Sequence, residues 1–545
     1  MIGDLRRLEA LRLAYGAEAA TRKATLLGKL TGRHCASAAS LVRYHEILCW
    51  MAAYPDDRRL LDRVMGELRR FALRADLARF RDALGDSGIA GTTTRYPFFW
   101  MMARWLAVRH PRRLRLDWDR AEFDARLRAA LPLLLPGLVA EAVKRSPRQG
   151  RALIDRLRGP DSDAVFIARA IERLPGDTFT REHLHDSIDA AYVLAPGMGG
   201  PSRTLAWHGA APLVFRATRP PAGRPDLIDE LRRAPRRVRQ VRGAEAVALV
   251  GLAREAMLTR ARDLAAFSWG DERDVCLVDD GDGLAFALIG SVPERRLPLP
   301  AVHGWLMLRN RVPVGYVQTD CLLAGAEVSF NVFPTFRGAE AATLFGRVLA
   351  VARHVLGARA FSIEPYQLGE GNEEGIASGA WWFYYKLGFR PIAAGPRHLL
   401  ARELQRIGRQ PSHRSSEATL RGLARGHMVF EPERGQRAWL PQVPGLGLAL
   451  HRGVADVPAE AALRRFGVRD FARWTGDEQF AWRRLAPVLL SLGGVEAWSR
   501  SARAQAVAVA RAKGGVHEIG FLRALDAHVG LAASLQVLLG SPARA

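Results

Sequence analysis

Lysine is almost missing from this chain. It stands only at positions 23, 29, 144, 386 and 513, so 75 of the 80 basic residues in 545 are arginine. With so much alanine, glycine and leucine, that skew reads as the coding bias of a GC-rich bacterial genome. The formal charge of +24 would otherwise point to a polyanionic partner; composition bias together with an anionic cofactor is the preferred account, and nucleic acid remains an alternative. Cysteine is scarce too. Cys35, Cys49, Cys276 and Cys321 form no Cys-x-x-Cys pair and no Cys/His cluster at zinc spacing, which argues against a disulfide framework or a structural metal and fits a reducing cytosol. The start, Met1 to Arg7, has no apolar signal core. The longest charge-free apolar stretch, Ala129 to Ala140, contains Pro132 and Pro136 and is too short to span a bilayer. A soluble, cytoplasmic protein without a membrane partner is the expectation. No repeat of fixed period stands out.

What is present is length and ordinary globular composition. At 545 residues, 48% hydrophobic and 25% charged, the chain exceeds what one core usually serves, so two to four domains are expected. Residues 1–195 read as a helical domain: Ala39 to Met51, Arg58 to Leu73 and Ala121 to Leu135 space apolar residues by three and four. Tyr54-Pro55-Asp56-Asp57 breaks the first two and supplies an aspartate as N-cap. Asp86 to Thr92 is a small-residue loop, read as an interhelical turn in preference to a phosphate cradle. His183-Leu184-His185-Asp186 lacks a clear third ligand for a metal, and Ser202-Arg203-Thr204 is a weak anion candidate.

Residues 196–243 form a Pro/Gly/Arg-rich boundary. Within it Leu231 to Arg242 carries six arginines and no acid, a solvated helix or linker first and a docking patch for RNA, DNA or an acidic partner second. From 244 to 405 the pattern alternates between helix and strand. A helix over Glu245 to Phe267 is followed by β-rich runs at Val275 to Val278, Leu284 to Ile289, Val302 to Leu308, Val314 to Gln318 and Glu327 to Phe333. A helix over Ala341 to Leu356, a strand over Ala360 to Ile363 and a closing helix over Gly375 to Leu387 complete it. Residues 406–454 read as linker and 455–545 as a C-terminal helical domain. The fold class expected is α/β (α+β): a mixed-sheet core flanked by mainly helical domains.

Two pieces carry chemistry. Asn331-Val332-Phe333-Pro334-Thr335-Phe336-Arg337-Gly338 is a strand running into an Arg-Gly turn that opens a helix. A helix N-terminus offers unpaired N–H groups and a positive dipole end, a seat for a diphosphate; Arg337 adds a planar cationic fork and Gly338 allows close approach. About fifty residues on, Trp381-Trp382-Phe383-Tyr384-Tyr385-Lys386-Leu387-Gly388-Phe389 ends an aromatic helix, and its indoles and Phe383 read first as core packing.

With Val314-Gly315-Tyr316-Val317 upstream, these motifs resemble the GNAT family of N-acetyltransferases over about 150 residues. The resemblance implies a GNAT-like mixed sheet and transfer of an acyl group, acetyl from acetyl-CoA or another acyl-CoA, to a primary amine by direct attack, without a metal. The cofactor-binding residues it implies are Asn331, Val332, Phe333, Arg337, Gly338, Ala339, Glu340, Ala341 and Ala342. It places an oxyanion-binding N–H around Phe330 to Phe333 on a splayed strand, and the general acid at Tyr384, with Tyr385 as the adjacent fallback. Two departures stand out. Glu340 occupies the second glycine position, where an inward carboxylate would repel the cofactor and an outward one would leave its N–H usable. Asn372 lies twelve residues before Tyr384, and Ala377 stands where the family commonly has the asparagine.

Glu327 and Glu364 are candidate general bases, able to take the ammonium proton directly or through water. The inserted loop from Glu364 to Glu374 carries four glutamates and suggests a small cationic amine or a basic peptide as acceptor. For Glu373 and Glu374 the first-turn helix role is preferred. The expected protein is therefore a multidomain acyltransferase. Its alternatives are a non-catalytic binding or scaffold protein of the same fold, favoured by Glu340, or a nucleic-acid-associated protein using its basic flanks.

Overall fold

A computed structural model describes residues 2–540 except 198, 210, 220–222, 339 and 455–458. The chain is 55% helix and 14% strand, with a mixed sheet flanked by helices. It divides into two compact units. The first takes in residues 1–219, 247–269 and 309–313; the second takes in 220–246, 270–308 and 314–545.

In the first unit the helices start where capping chemistry allows. Ser37 and Ser40 form a capping box ahead of Ala38–Ala53, and the Asp57 carboxylate accepts from the Leu60 N–H at 2.7 Å to open Arg58–Arg70. Asp56, the other acid of that break, is buried against the Lys23 ammonium at 2.9 Å. The unit is not purely helical. Thr94–Tyr96 (β1), Leu114–Leu116 (β2) and Tyr192–Leu194 (β3) form a small antiparallel sheet in the order β1-β3-β2. Three-residue strands lie below the length at which alternation is readable, so the helical periodicity around them masks their signal. In the 86–92 loop, a Cβ on Gly88 (φ +68) would fall 1.9 Å from the Thr259 carbonyl oxygen.

The second unit is built on nine strands: Arg237–Val241 (β4), Gly270–Gly281 (β5), Leu284–Ser291 (β6), Ala301–Arg309 (β7), Val312–Leu322 (β8), Gly325–Val332 (β9), Ala360–Ile363 (β10), Arg390–Pro391 (β11) and Met428–Phe430 (β12). Their order is β11-β12-β10-β9-β8-β7-β6-β5-β4. All eight residues of β6 are buried, which explains its unbroken apolar run: both faces are covered. The pairs β4–β5, β5–β6, β8–β9, β10–β12 and β11–β12 are antiparallel, and β9–β10 is parallel. The parallel pair requires a crossover, supplied by the helix Ala341–Leu356 (α1).

Four local expectations differ from what the chain does. The helix expected over 245–267 ends at Leu258, and a short one resumes at Ala265. Ala261 takes a left-handed φ of +49, and the Asp263 carboxylate accepts from the Leu264 N–H at 2.9 Å just before the restart. The closing helix is two helices, Glu373–Ser378 (α2) and Ala380–Lys386 (α3), broken at Gly379 with φ +66. Met428–Phe430, inside the stretch read as linker, is a strand between β10 and β11, and β4 lies in the stretch read as a solvated helix or linker.

The C-terminal helices Arg500–Lys513 (α4) and Glu518–Ala527 (α5) are fastened to this sheet by buried charge. Arg296, 2% exposed, donates to the carbonyls of Ser291 and Lys513 at 3.0 Å, of Val516 at 2.9 Å and of Gly515. It also lies 3.4 Å from Asp274, which accepts from the Glu518 N–H and from His517. Lys513 pairs with Glu518 and donates to the Pro300 carbonyl at 2.7 Å. Neither ring nitrogen of His303, in β7, has a hydrogen-bond partner among the described residues. Burial holds its pKa below the ordinary 6.5, assisted by Arg296 and Lys513 and opposed by Asp274 and Glu518. A depressed imidazole adds stability that is fully present above the unfolded pKa and drains away as pH falls through the folded value. Urea titrations between pH 7.5 and 5 should therefore show the midpoint falling with acid, and His303→Phe should flatten that slope; an equal slope in both proteins would refute this role for His303.

Candidate functional site

The pairing of β9 with β10 is short. It covers Gly325, Ala326 and Glu327 against Ala360, Phe361 and Ser362, while β9 stays registered with β8 as far as Val332 opposite Gly315. Beyond Glu327 the two parallel strands have no described register, so β9 presents an edge to a gap. Gly315 is needed for that geometry: a Cβ there would fall 2.3 Å from the Asn331 carbonyl oxygen. Because the Phe333 N–H donates to the Val314 carbonyl at 2.9 Å, it is already engaged and is not the oxyanion donor. Strand alternation turns the Phe330 N–H to the other side, toward the gap.

On one face of this gap lies a carboxylate cluster. Asp320 of β8 sits opposite Glu327 of β9, which sits beside Ser362 of β10. Glu327 accepts from the Ser362 hydroxyl at 3.3 Å and is 3.1 Å from His427 Nε2. Glu364 accepts from the Ser329 hydroxyl at 3.1 Å, and Asp320 from the Gln318 amide at 3.0 Å. Burial, and after it the charge of Glu327, raises the Glu364 carboxyl above its ordinary range, against the Ser329 hydrogen bond and His427. Burial pushes Asp320 up to about 7, opposed by the Gln318 hydrogen bond and assisted by Glu327 and Glu364. A carboxyl such as that of Asp320 holds or releases a proton near neutrality.

The structure thus brings Glu327 and Glu364 together and adds two partners that sequence reasoning missed. Asp320 continues the polar alternation Tyr316, Gln318, Asp320 along β8 and was legible in principle. His427 precedes β12, a strand too short to announce itself.

From the opposite face comes α3. Phe330 of β9 packs edge-on to Phe345 of α1 at 5.3 Å, and Tyr384 lies against the same ring at 5.3 Å. Tyr384 is 3% exposed. Burial first, then the charge of Glu364, holds the phenol pKa above its ordinary value. Tyr385 points elsewhere: it stacks on Trp381 at 5.4 Å, with the Arg390 guanidinium 4.4 Å over its ring. The two adjacent phenols are therefore not interchangeable, and the fallback role of Tyr385 is set aside because its ring belongs to the Trp381–Arg390 stack.

The turn ahead of α1 departs most from expectation. Arg337 donates through Nε to the Val332 carbonyl at 3.0 Å, and its guanidinium pairs with Glu374. Glu340 is the N-cap residue of α1 and is 7% exposed, so its side chain is turned into the protein. A Cβ on Gly338 would meet nothing within 4 Å; the space above that residue is open. Ala339 lies outside the described residues. Ala341 and Ala342 are half-buried in the first turn of α1, Asn331 is half-buried on β9, and Val332 and Phe333 are buried. Glu373 pairs with Arg421 at 2.6 Å, and Asn372 caps α2 by accepting from the Gly375 N–H at 3.1 Å. The inserted loop's last two acids are thus held in helix-start ion pairs and do not form a free acceptor funnel.

Elsewhere, His185 is engaged by the Tyr192 hydroxyl at 2.9 Å, and Thr204 joins His45 to the Ala90 N–H, at 2.8 Å each. Among the described residues no group of three or more His, Cys, Asp or Glu is arranged to hold a metal ion, and no single helix is long and apolar enough to cross a membrane. No family model matches the chain, and no curated protein or solved structure is similar to it.

Proposed function

We propose that the second unit is a GNAT-like N-acyltransferase, using acetyl-CoA or another acyl-CoA and a primary amine. The observation that carries this reading is the gap beyond Glu327, flanked on one face by Asp320, Glu327, Glu364 and His427 and on the other by the buried hydroxyl of Tyr384. The carboxylates attract an ammonium group, and Glu327 or Glu364 takes its proton. The neutral nitrogen then attacks the thioester carbonyl, whose developing oxyanion the Phe330 N–H is placed to stabilise. As the C–S bond breaks, the departing thiolate receives the Tyr384 proton, and the proton shed by the new amide nitrogen restores the phenol. The raised phenol pKa keeps that proton in place until the C–S bond breaks. Calorimetry with acetyl-CoA tests the first requirement, and thiol release across a panel of amines the second. No binding at millimolar cofactor defeats the enzyme reading.

One observation favours a second reading, a binding module of the same fold that does not acylate. Glu340 is buried at the N-terminus where a diphosphate would sit, and Arg337 is engaged by Glu374. Like charges about 4 Å apart repel by roughly 1 kcal/mol in water and by several at lower effective dielectric. Glu340→Gly is accordingly expected to tighten acetyl-CoA binding about tenfold or more, near 1.4 kcal/mol. Unchanged affinity in that variant would mean that Glu340 does not face the cofactor.

A further inference from the structure

The arginine-rich stretch before the sheet has a geometry of its own. Arg237–Val241 is β4, the terminal strand of the nine, paired with β5 through all five residues on one side only. Of the six arginines in this stretch, Arg232, Arg233 and Arg239 are matched locally by Asp229 at 3.0 Å, by Glu230 at 2.8 Å and by Glu245. Arg236, Arg237 and Arg242 are exposed and have no carboxylate partner among the described residues. Between them Val238 is 46% exposed. Three unmatched cations therefore bracket an open strand edge with one apolar residue at its middle.

We infer that this edge binds an acidic, extended peptide segment, which adds to the sheet as a tenth strand. The backbone N–H and C=O groups on the free side of β4 provide the ladder, over roughly 17 Å for five residues. Arg236 and Arg237 at one end and Arg242 at the other select acids toward both ends of the segment, and Val238 selects an aliphatic residue between them. A second copy of the chain does not fit, because pairing β4 with itself sets arginine against arginine, and like charges across a strand pair destabilise it. Nucleic acid fits less well. Leu231 to Arg242 has no aromatic side chain on which a base could stack, and a sugar-phosphate chain cannot complete a β-ladder.

The test is fluorescence anisotropy of the full chain with a labelled peptide, Glu-Asp-Val-Thr-Val-Glu-Asp. Beside it run the same peptide N-methylated at alternate residues and a single-stranded oligonucleotide of equal charge. The expected result is binding of the first peptide, weakened at least tenfold by N-methylation at constant charge and at least tenfold by the double variant Arg237→Glu/Arg242→Glu. The inference is overturned if the peptide does not bind, if the N-methylated form or the double variant binds equally well, or if the oligonucleotide binds more tightly. None of these measurements uses acyl-CoA, so they stand apart from the acyltransfer reading.

Discussion

Replacing Glu327 by glutamine is expected to lower the turnover of acyl transfer by about 10²- to 10⁴-fold, the usual share of a positioned general base, with little change in the Michaelis constant for acyl-CoA. The substitution keeps the shape of the side chain and its ability to accept from the Ser362 hydroxyl, 3.3 Å away. It removes the charge that faces His427 Nε2 at 3.1 Å and that helps raise Asp320 and Glu364. The rate of the unaltered protein should climb with pH as these carboxyls lose their protons, because only the ionised form accepts a proton from the ammonium. With Asp320 at about 7, activity should fall on acidification below neutrality. In Glu327→Gln the remaining limb should move to lower pH, since one of the negative charges that raises its neighbours is gone. Tyr384→Phe is the companion: it keeps the packing against Phe345 and removes only the leaving-group acid. Thiol release measured across pH decides the matter, and wild-type turnover in both variants would remove these residues from the mechanism.

The second expected result concerns stability. Arg296→Ala should cost about 3–5 kcal/mol, the range for removing one partner of a buried, hydrogen-bonded charge. Its side chain is 1% exposed and serves four carbonyls, those of Ser291, Lys513, Gly515 and Val516. Without it those acceptors are left buried and unmatched, and Asp274 loses a cation. Three of the four carbonyls belong to the last residue of α4 and the turn leading to α5, so the loss falls on the attachment of the C-terminal helices. Limited proteolysis should cut the variant first within residues 500–540, and urea unfolding should register the destabilisation. A change below about 1 kcal/mol, the scale of a surface pair, would mean that the network is not what fastens these helices.

How much of this was readable in advance varies with the range of the interaction. Long, strongly patterned elements were legible: the buried run of β6, the α1 crossover, and the order of strand, Arg-Gly turn and aromatic helix. Elements of two to five residues mostly were not, the four-residue β10 being the exception. β1, β2, β3, β11 and β12 are too short for alternation to stand out, and β4 is hidden by its arginines, because a strand at the end of a sheet need not be apolar. Gly379 is one residue inside a helical pattern, and its left-handed φ splits that helix where periodicity runs straight through. Glu327 and Glu364 were found because the GNAT resemblance calls for a base near β9. Asp320 and His427 were not: the alternation along β8 offered Asp320 without tying it to that strand, and the strand after His427 is too short to read.

The linear order of residues established the chemistry on offer: which side chains can act as acids, bases and cations, and which stretches form helix or strand from their own spacing of apolar residues. Those properties depend on neighbours two to four positions away, so they can be read along the chain. Folding settled what distance in sequence conceals. It gathered positions 320, 327, 364 and 427 across three adjacent strands and the lead-in to β12, and turned Glu340 inward. It also sent Tyr384 and Tyr385 to different neighbours and left β4 with one open side. Each of those outcomes follows from which strands lie next to one another and which helix face meets the sheet, and both are set by burial of the whole core.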